Sequence, residues 1–197
     1  MSMKVSIVLT GVGGQGIVTA AKLLGMAAVR AGVNSYASEV HGMAQRGGSV
    51  NCTVRMGDVH GPLVPTGGAD ILLSLEPVEA LRNLKYVNKK TKIITDTHPI
   101  VPFTVAVGKD QYPAIEQVFS ELEKNGELHK IDALSIAKQS GAIITKNVVM
   151  VGALAGSGLL PFDENILLET VLDYVPAKFR EVNKKAFEAG KKAVQGK

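Results

Sequence analysis

The sequence predicts an α/β fold: a three-layer Rossmann-like domain with a mostly parallel central sheet, an inserted β-hairpin and a helical C-terminal part. Three observations lead there. Residues 5–9 are an apolar run that ends in a glycine-rich turn and passes at once into an amphipathic stretch, giving strand, turn, helix. Residues 69–75 read as another buried strand and residues 92–97 as a further one, each separated from the next by helical pattern. From Thr145 onward the chain reads as helix.

In chain order, the turn after the first strand contains Gly11, Gly13, Gly14 and Gly16. The helix that follows places Ile17, Ala20, Ala21, Leu24, Ala27 and Ala28 on one face and should stop near Ala31 and Gly32, a helix-ending glycine. A short second strand is expected over residues 33–38. Residues 49–56 and 59–64 flank Gly57-Asp58 and read as a hairpin, which breaks a regular β-α-β alternation. Residues 76–82 begin a helix with Pro77 in its first turn. After the strand at 92–97 come a loop at 98–102, an irregular connection at 103–112 and a helix opened by Tyr112-Pro113 that runs to about Lys124. Residues 129–132 form a short strand, and Asp132 caps a helix over 133–140 that Gly141 ends. The stretch 148–156 is apolar on all sides and rich in small residues, so it belongs in the interior. Asp163 caps a helix through Leu172, and Pro176 precedes the last one, 179–193.

Composition narrows the function classes. A chain of 197 residues with 46% hydrophobic content can bury a core as one domain spanning 1–197. The formal charge of +4 comes from lysines spread over helices and a C-terminal cluster, without tryptophan or an arginine-rich stripe, so nucleic-acid binding is not expected. Cys52 is the only cysteine, and this chain alone therefore cannot supply a disulfide, a zinc ribbon or a cysteine-ligated iron–sulfur cluster. It lies in an alternating run with Val50 and Val54 on its face and reads as a buried strand residue rather than a nucleophile. No stretch reaches membrane-spanning length and no leader pattern precedes the first strand, so a cytoplasmic protein is expected.

Two stretches carry the candidate chemistry. Gly11, Gly13 and Gly16 have the G-x-G-x-x-G spacing, which permits a sharp reversal, close approach of backbone N–H groups to a phosphate, and tight helix–strand packing. Gln15, at the helix start, is a candidate donor to that anion. Glu39, His41, Gln45, Arg46 and Gly47 lie in a polar, glycine-rich segment, 39–48, expected at the same edge as the turn. Arg46 is the strongest charge partner there, since a guanidinium binds phosphate or carboxylate bidentately. His98 is expected to be an exposed loop residue and not a metal ligand. No catalytic residue and no metal site are expected in this chain.

These stretches, Gly11-Val-Gly-Gly-Gln-Gly16 and Ser38-Glu-Val-His-Gly-Met-Ala-Gln-Arg-Gly-Gly-Ser-Val50, together with Glu76-Pro-Val-Glu-Ala-Leu81, Asn147, Gly152-Ala-Leu154 and Glu181-Val-Asn-Lys-Lys-Ala-Phe-Glu-Ala-Gly190, resemble the gamma-type domain of 2-oxoacid:ferredoxin oxidoreductases, and within that family its indolepyruvate branch. The resemblance runs over nearly the whole chain, and the 39–48 segment is far more specific than the glycine turn. It implies a subunit of an enzyme that oxidatively decarboxylates a 2-oxoacid with coenzyme A to an acyl-CoA, carbon dioxide and reduced ferredoxin. It also implies that thiamine diphosphate and the iron–sulfur clusters sit on a large alpha subunit. By position, Gly11, Gly13, Gly14, Gln15 and Gly16 would face coenzyme A phosphate. Glu39, His41, Gln45, Arg46 and Gly47 would face the coenzyme or the thiamine-bearing partner.

Two other classes stay open on the residues alone. A nicotinamide-dependent oxidoreductase would explain the glycine turn and Glu39, although Glu39 lies 28 residues after Gly11 where such an acid falls about 20 residues on. An adenylating enzyme shares the turn but commonly needs the cysteines this chain lacks.

Overall fold

The computed structural model describes residues 3–41, 47–101, 105, 108 and 111–196. Six strands, β1 (Lys4–Val12), β2 (Ser35–His41), β3 (Ser49–Gly57), β4 (Ile71–Ser74), β5 (Lys92–Asp96) and β6 (Glu127–Ile131), form one sheet in the order β2-β3-β1-β4-β5-β6. β1, β4, β5 and β6 run parallel. β3 is antiparallel to both β1 and β2. The mostly parallel α/β sheet is thus the one the sequence predicts.

The side chains of β1 alternate between two apolar layers. Ile7 and Leu9 join α1 (Ile17–Arg30) and the C-terminal helices on one face, while Val8 joins Leu72, Ile93 and the helices α2 (Pro77–Arg82) and α3 (Ile115–Asn125) on the other. The remaining helices are α4 (Ala133–Ser140), α5 (Lys146–Ala155), α6 (Glu164–Tyr174) and α7 (Arg180–Gln195). The predicted face of α1 is buried in full, with Leu23 added to it. Asp132 and Asp163 cap α4 and α6 by accepting the N–H groups of Ser135 and Asn165. The all-apolar helix α5 is held by a close crossing with α7, where backbone meets backbone at Gly152, Gly156 and Gly190.

Three expectations are corrected. The hairpin is formed by β2 and β3, not by 49–56 with 59–64; residues 59–64 make no strand, and Pro62 and Leu63 instead accept hydrogen bonds from the Thr53 and Arg55 side chains through their carbonyls. A strand there would have competed with β1, which already occupies the other edge of β3. The second strand begins at Ser35 and runs on to His41, because its partner β3 is long enough to pair with it that far. The glycine turn is also shorter than expected, since Gly11 and Val12 still pair with Val50 and Ser49.

Candidate anion site at the glycine turn

Helix α1 leaves β1 on one face of the sheet and α2 leaves β4 on the other, so the carboxyl ends of these neighbouring parallel strands open a crevice between them. The glycine turn stands at its mouth. Gly14 and Gly16 have φ of +100° and +86°, a left-handed backbone that only glycine adopts without strain. Gly16 is the N-cap of α1, and no side chain caps that helix; its first turn also contains no acidic residue. Donors at this N-terminus and the positive end of the helix dipole are thereby left for an anion.

Gln15 does not point outward. Its Oε1 accepts the Val12 N–H at 2.7 Å and its Nε2 donates to the Leu75 carbonyl at 2.6 Å, so the side chain ties the ends of β1 and β4 together beneath the turn. A Cβ on Gly11 would come within 2.6 Å of that same Oε1, which is why this position must be bare.

The far end of the 39–48 segment is fastened to the turn. The Gly13 N–H donates to the Gly48 carbonyl at 2.8 Å, and the Gly47 N–H donates to the Gly13 carbonyl at 3.4 Å. Gly47 is itself left-handed, with φ +76°. Gln45 and Arg46 lie outside the described residues. His41 ends β2 opposite Val50; only its backbone is described. Glu39 is exposed and pairs with Cys52 across the hairpin. With Val18, Lys22, Ala37 and Cys52 it lines a groove of about 430 Å³ between α1 and β2. Because β3 lies between β2 and β1, Glu39 sits two strands from the turn, unlike a ribose-binding acid on a strand beside β1. Cys52 is buried, and burial first, then the Glu39 charge, pushes its thiol up to about 11. Such a thiol is a poor nucleophile. His98 is exposed in its loop.

Several polar residues of this edge carry no role in the sequence reading. Glu76 is buried, caps α2 by accepting the Glu79 N–H at 2.9 Å, and accepts the Tyr112 hydroxyl on its other oxygen. Burial, reinforced by that carboxylate, holds the Tyr112 phenol well above its ordinary range. Glu79, also buried, accepts from Ser49 and Arg82, and so ties the start of β3 to α2. Asp96, at the end of β5, is fully buried and pairs with Lys146 at the start of α5. Asn147, the next residue, lies over Gly16: a Cβ there would meet its Nδ2 at 2.7 Å. The signal for Glu76 was present as an acid preceding Pro77 at a helix start; for Asp96, Lys146 and Asn147 the partners are far apart in sequence and no local pattern joins them.

Taken together, the edge offers backbone donors and a helix N-terminus for a phosphate, braced by neutral amides and paired charges. No group of three or more metal-ligating side chains occurs among the described residues. No helix there is long and apolar enough to cross a membrane.

The chain is 47% identical to indolepyruvate oxidoreductase subunit IorB of Pyrococcus horikoshii over 96% of both chains, and 42% identical to the protein of that name from Archaeoglobus fulgidus over 99% of this chain and 98% of the other. Among solved structures, the gamma subunit of a keto/oxoacid ferredoxin oxidoreductase from Geobacter sulfurreducens shares the fold, with a TM-score of 0.72 at 23% identity over 98% of this chain and 99% of that one. A 2-oxoglutarate:ferredoxin oxidoreductase from Magnetococcus marinus, solved with 2-oxoglutarate, coenzyme A and succinyl-CoA bound, shares it with a TM-score of 0.73 at 22% identity; the match covers 100% of this chain and 32% of that longer one. Residues 6–193 match the model of one family, and with identities this high over nearly the full length, the chain belongs to that family, pyruvate ferredoxin/flavodoxin oxidoreductase.

Proposed function

We propose that this chain is the small, cluster-free subunit of a cytoplasmic 2-oxoacid:ferredoxin oxidoreductase acting on indolepyruvate or a related aryl pyruvate. The observation that carries the proposal is the full-length likeness to the indolepyruvate oxidoreductase IorB subunits. The enzyme converts the 2-oxoacid and coenzyme A to an acyl-CoA and carbon dioxide and passes electrons to ferredoxin. Thiamine diphosphate, on the large alpha subunit, supplies the electron sink for carbon–carbon cleavage, and iron–sulfur clusters on that subunit carry the electrons away.

The work of this chain is binding and orientation. The N–H groups at the turn and at the start of α1 hold a coenzyme A phosphate, and the bare Gly13–Gly16 backbone lets it approach. Gln15 keeps the turn in place from beneath. To His41, Gln45 and Arg46 we assign contact with the coenzyme or the thiamine-bearing subunit; the end of their segment is fastened to the turn through Gly47 and Gly48.

Expression with and without the large subunit tests this, with 2-oxoacid-dependent and coenzyme A-dependent reduction of a viologen dye as the readout. Activity is expected only when both chains are present. Full activity of the large subunit alone would overturn the proposal.

A further inference from the structure

Besides the groove beside β2, the described residues form a cavity of about 300 Å³ where α1, the start of α5, the end of α6 and the start of α7 converge. Its walls are almost wholly apolar, Leu23, Val148, Val171 and Val182 among them. Three large apolar side chains stand at its mouth instead of filling it: Ile144 is 84% exposed, and Tyr174 and Phe179 are 43% exposed each. Ile143 beside them is 56% exposed. Apolar side chains gathered around an apolar hole are a feature of surfaces that another molecule covers.

Two further observations identify the occupant. The first is charge. Lys22 lies 5.2 Å from the Tyr174 ring centroid and Lys178 lies 5.0 Å from that of Phe179, and neither ammonium has a carboxylate partner among the described residues. Asp173, beside Tyr174 on α6, is already taken by Arg30 and Arg180, and Glu181, beside Val182 on α7, by Lys185. The mouth is therefore cationic and suits a partner that brings carboxylates beside its apolar group. The second is continuity. Thr19 and Asn147 line the cavity, and Asn147 is the residue packed over Gly16, so the cavity adjoins the glycine turn.

We propose that this cavity is a docking site for the large subunit, which seats an apolar side chain flanked by acidic residues in it. The proposal rests on the subunit function above and gives that partner its point of attachment. An aryl carboxylate of small size has the same chemistry, but a molecule that fills 300 Å³ leaves Ile143 and most of Ile144 in water. A protein surface covers them.

The experiment uses the full chain. Ile144→Glu and Phe179→Glu alter exposed side chains, and thermal unfolding of each variant confirms that the fold is kept. Binding to the isolated large subunit is measured by biolayer interferometry, with weakening on the order of 30-fold expected for each variant, as for the loss of a hot-spot contact. Lys22→Gln with Lys178→Gln should weaken binding and reduce its salt dependence. Unchanged affinity in the two glutamate variants, with wild-type binding intact, would overturn the docking site alone. Saturable binding of indole-3-acetate in the cavity, competing with nothing on the large subunit, would also overturn it in favour of a small ligand. Failure of the wild-type chain to bind the large subunit would overturn the subunit function and the docking site with it.

Discussion

Gln15 and Cys52 show how position in the fold decides what a polar side chain can do. Gln15 belongs to a segment that bears candidate chemistry and Cys52 to the strand that follows one, yet each is turned inward. The Gln15 amide is engaged at both ends, to Val12 and to Leu75, so it acts on a bound anion only by holding the turn. Nothing local could have foretold this, because Leu75 is separated from Gln15 by the whole hairpin. The glycines were readable for the opposite reason: a left-handed φ is a property of one residue, and Gly14 and Gly16 have it. Cys52 was readable from alternation alone, since Val50, Cys52 and Val54 do share the buried face. Its thiol, raised to about 11, is protonated at neutral pH, and the folded state holds that proton where an unfolded thiol releases it. The contribution of Cys52 to stability is therefore full below the unfolded value, about 8.5, and declines as pH rises toward the folded one. At pH 8 a disulfide exchange reagent should modify native protein only as fast as the chain opens, and denatured protein at once. Rapid labelling of the folded chain would contradict the burial described.

Elements with strong local grammar came out as predicted. The caps at Asp132 and Asp163 fix the starts of α4 and α6, and Gly141, with φ +113°, stops α4. The hairpin did not, because strand pairing is a competition between partners rather than a property of a run. Residues 59–64 have acceptable strand composition, but β3 pairs with β2 on one edge and β1 on the other, leaving no vacant edge. The crossing of α5 and α7 lies between these cases. The small apolar residues of 148–156 pointed to the interior, though not to a partner helix. A Cβ at Gly190 would lie 1.9 Å from the Val149 carbonyl oxygen, and one at Gly152 would lie 2.1 Å from that of Phe187. Gly190→Ala must then push two helices apart, an overpacking cost of about 3 kcal/mol. Scanning calorimetry should find its melting temperature lowered by roughly 6–12 °C. A variant as stable as the parent would mean that the helices do not cross so closely.

The molecule as a whole separates support from presentation. One face of the sheet holds α1 with α4, α5, α6 and α7, the other, among the described residues, α2 and α3, and the carboxyl edge between them presents the glycine turn. The α/β class and the parallel strands followed from buried runs joined by amphipathic ones. The convergence of Glu76, Asp96, Lys146 and Asn147 on that edge did not, because it arises only when the ends of β4 and β5 and the start of α5 come together beside the turn. The chain's membership in the pyruvate ferredoxin/flavodoxin oxidoreductase family is compatible with the division proposed above, coenzyme binding at this edge and redox chemistry on a partner. The role proposed for the turn is to hold a coenzyme A phosphate for the assembled enzyme. Gly14 is the position to vary, since a Cβ there meets nothing within 4 Å and the strain that a side chain brings to its left-handed backbone is common to Asn and Asp and cancels between them. Gly14→Asn and Gly14→Asp differ by one charge at constant shape, so steady-state kinetics of the two variants in the two-subunit enzyme isolate the electrostatics. The Asp variant should raise KM for coenzyme A by about tenfold or more relative to Asn, with KM for the 2-oxoacid unaltered. Equal KM values for coenzyme A in the two variants would contradict a phosphate at the turn.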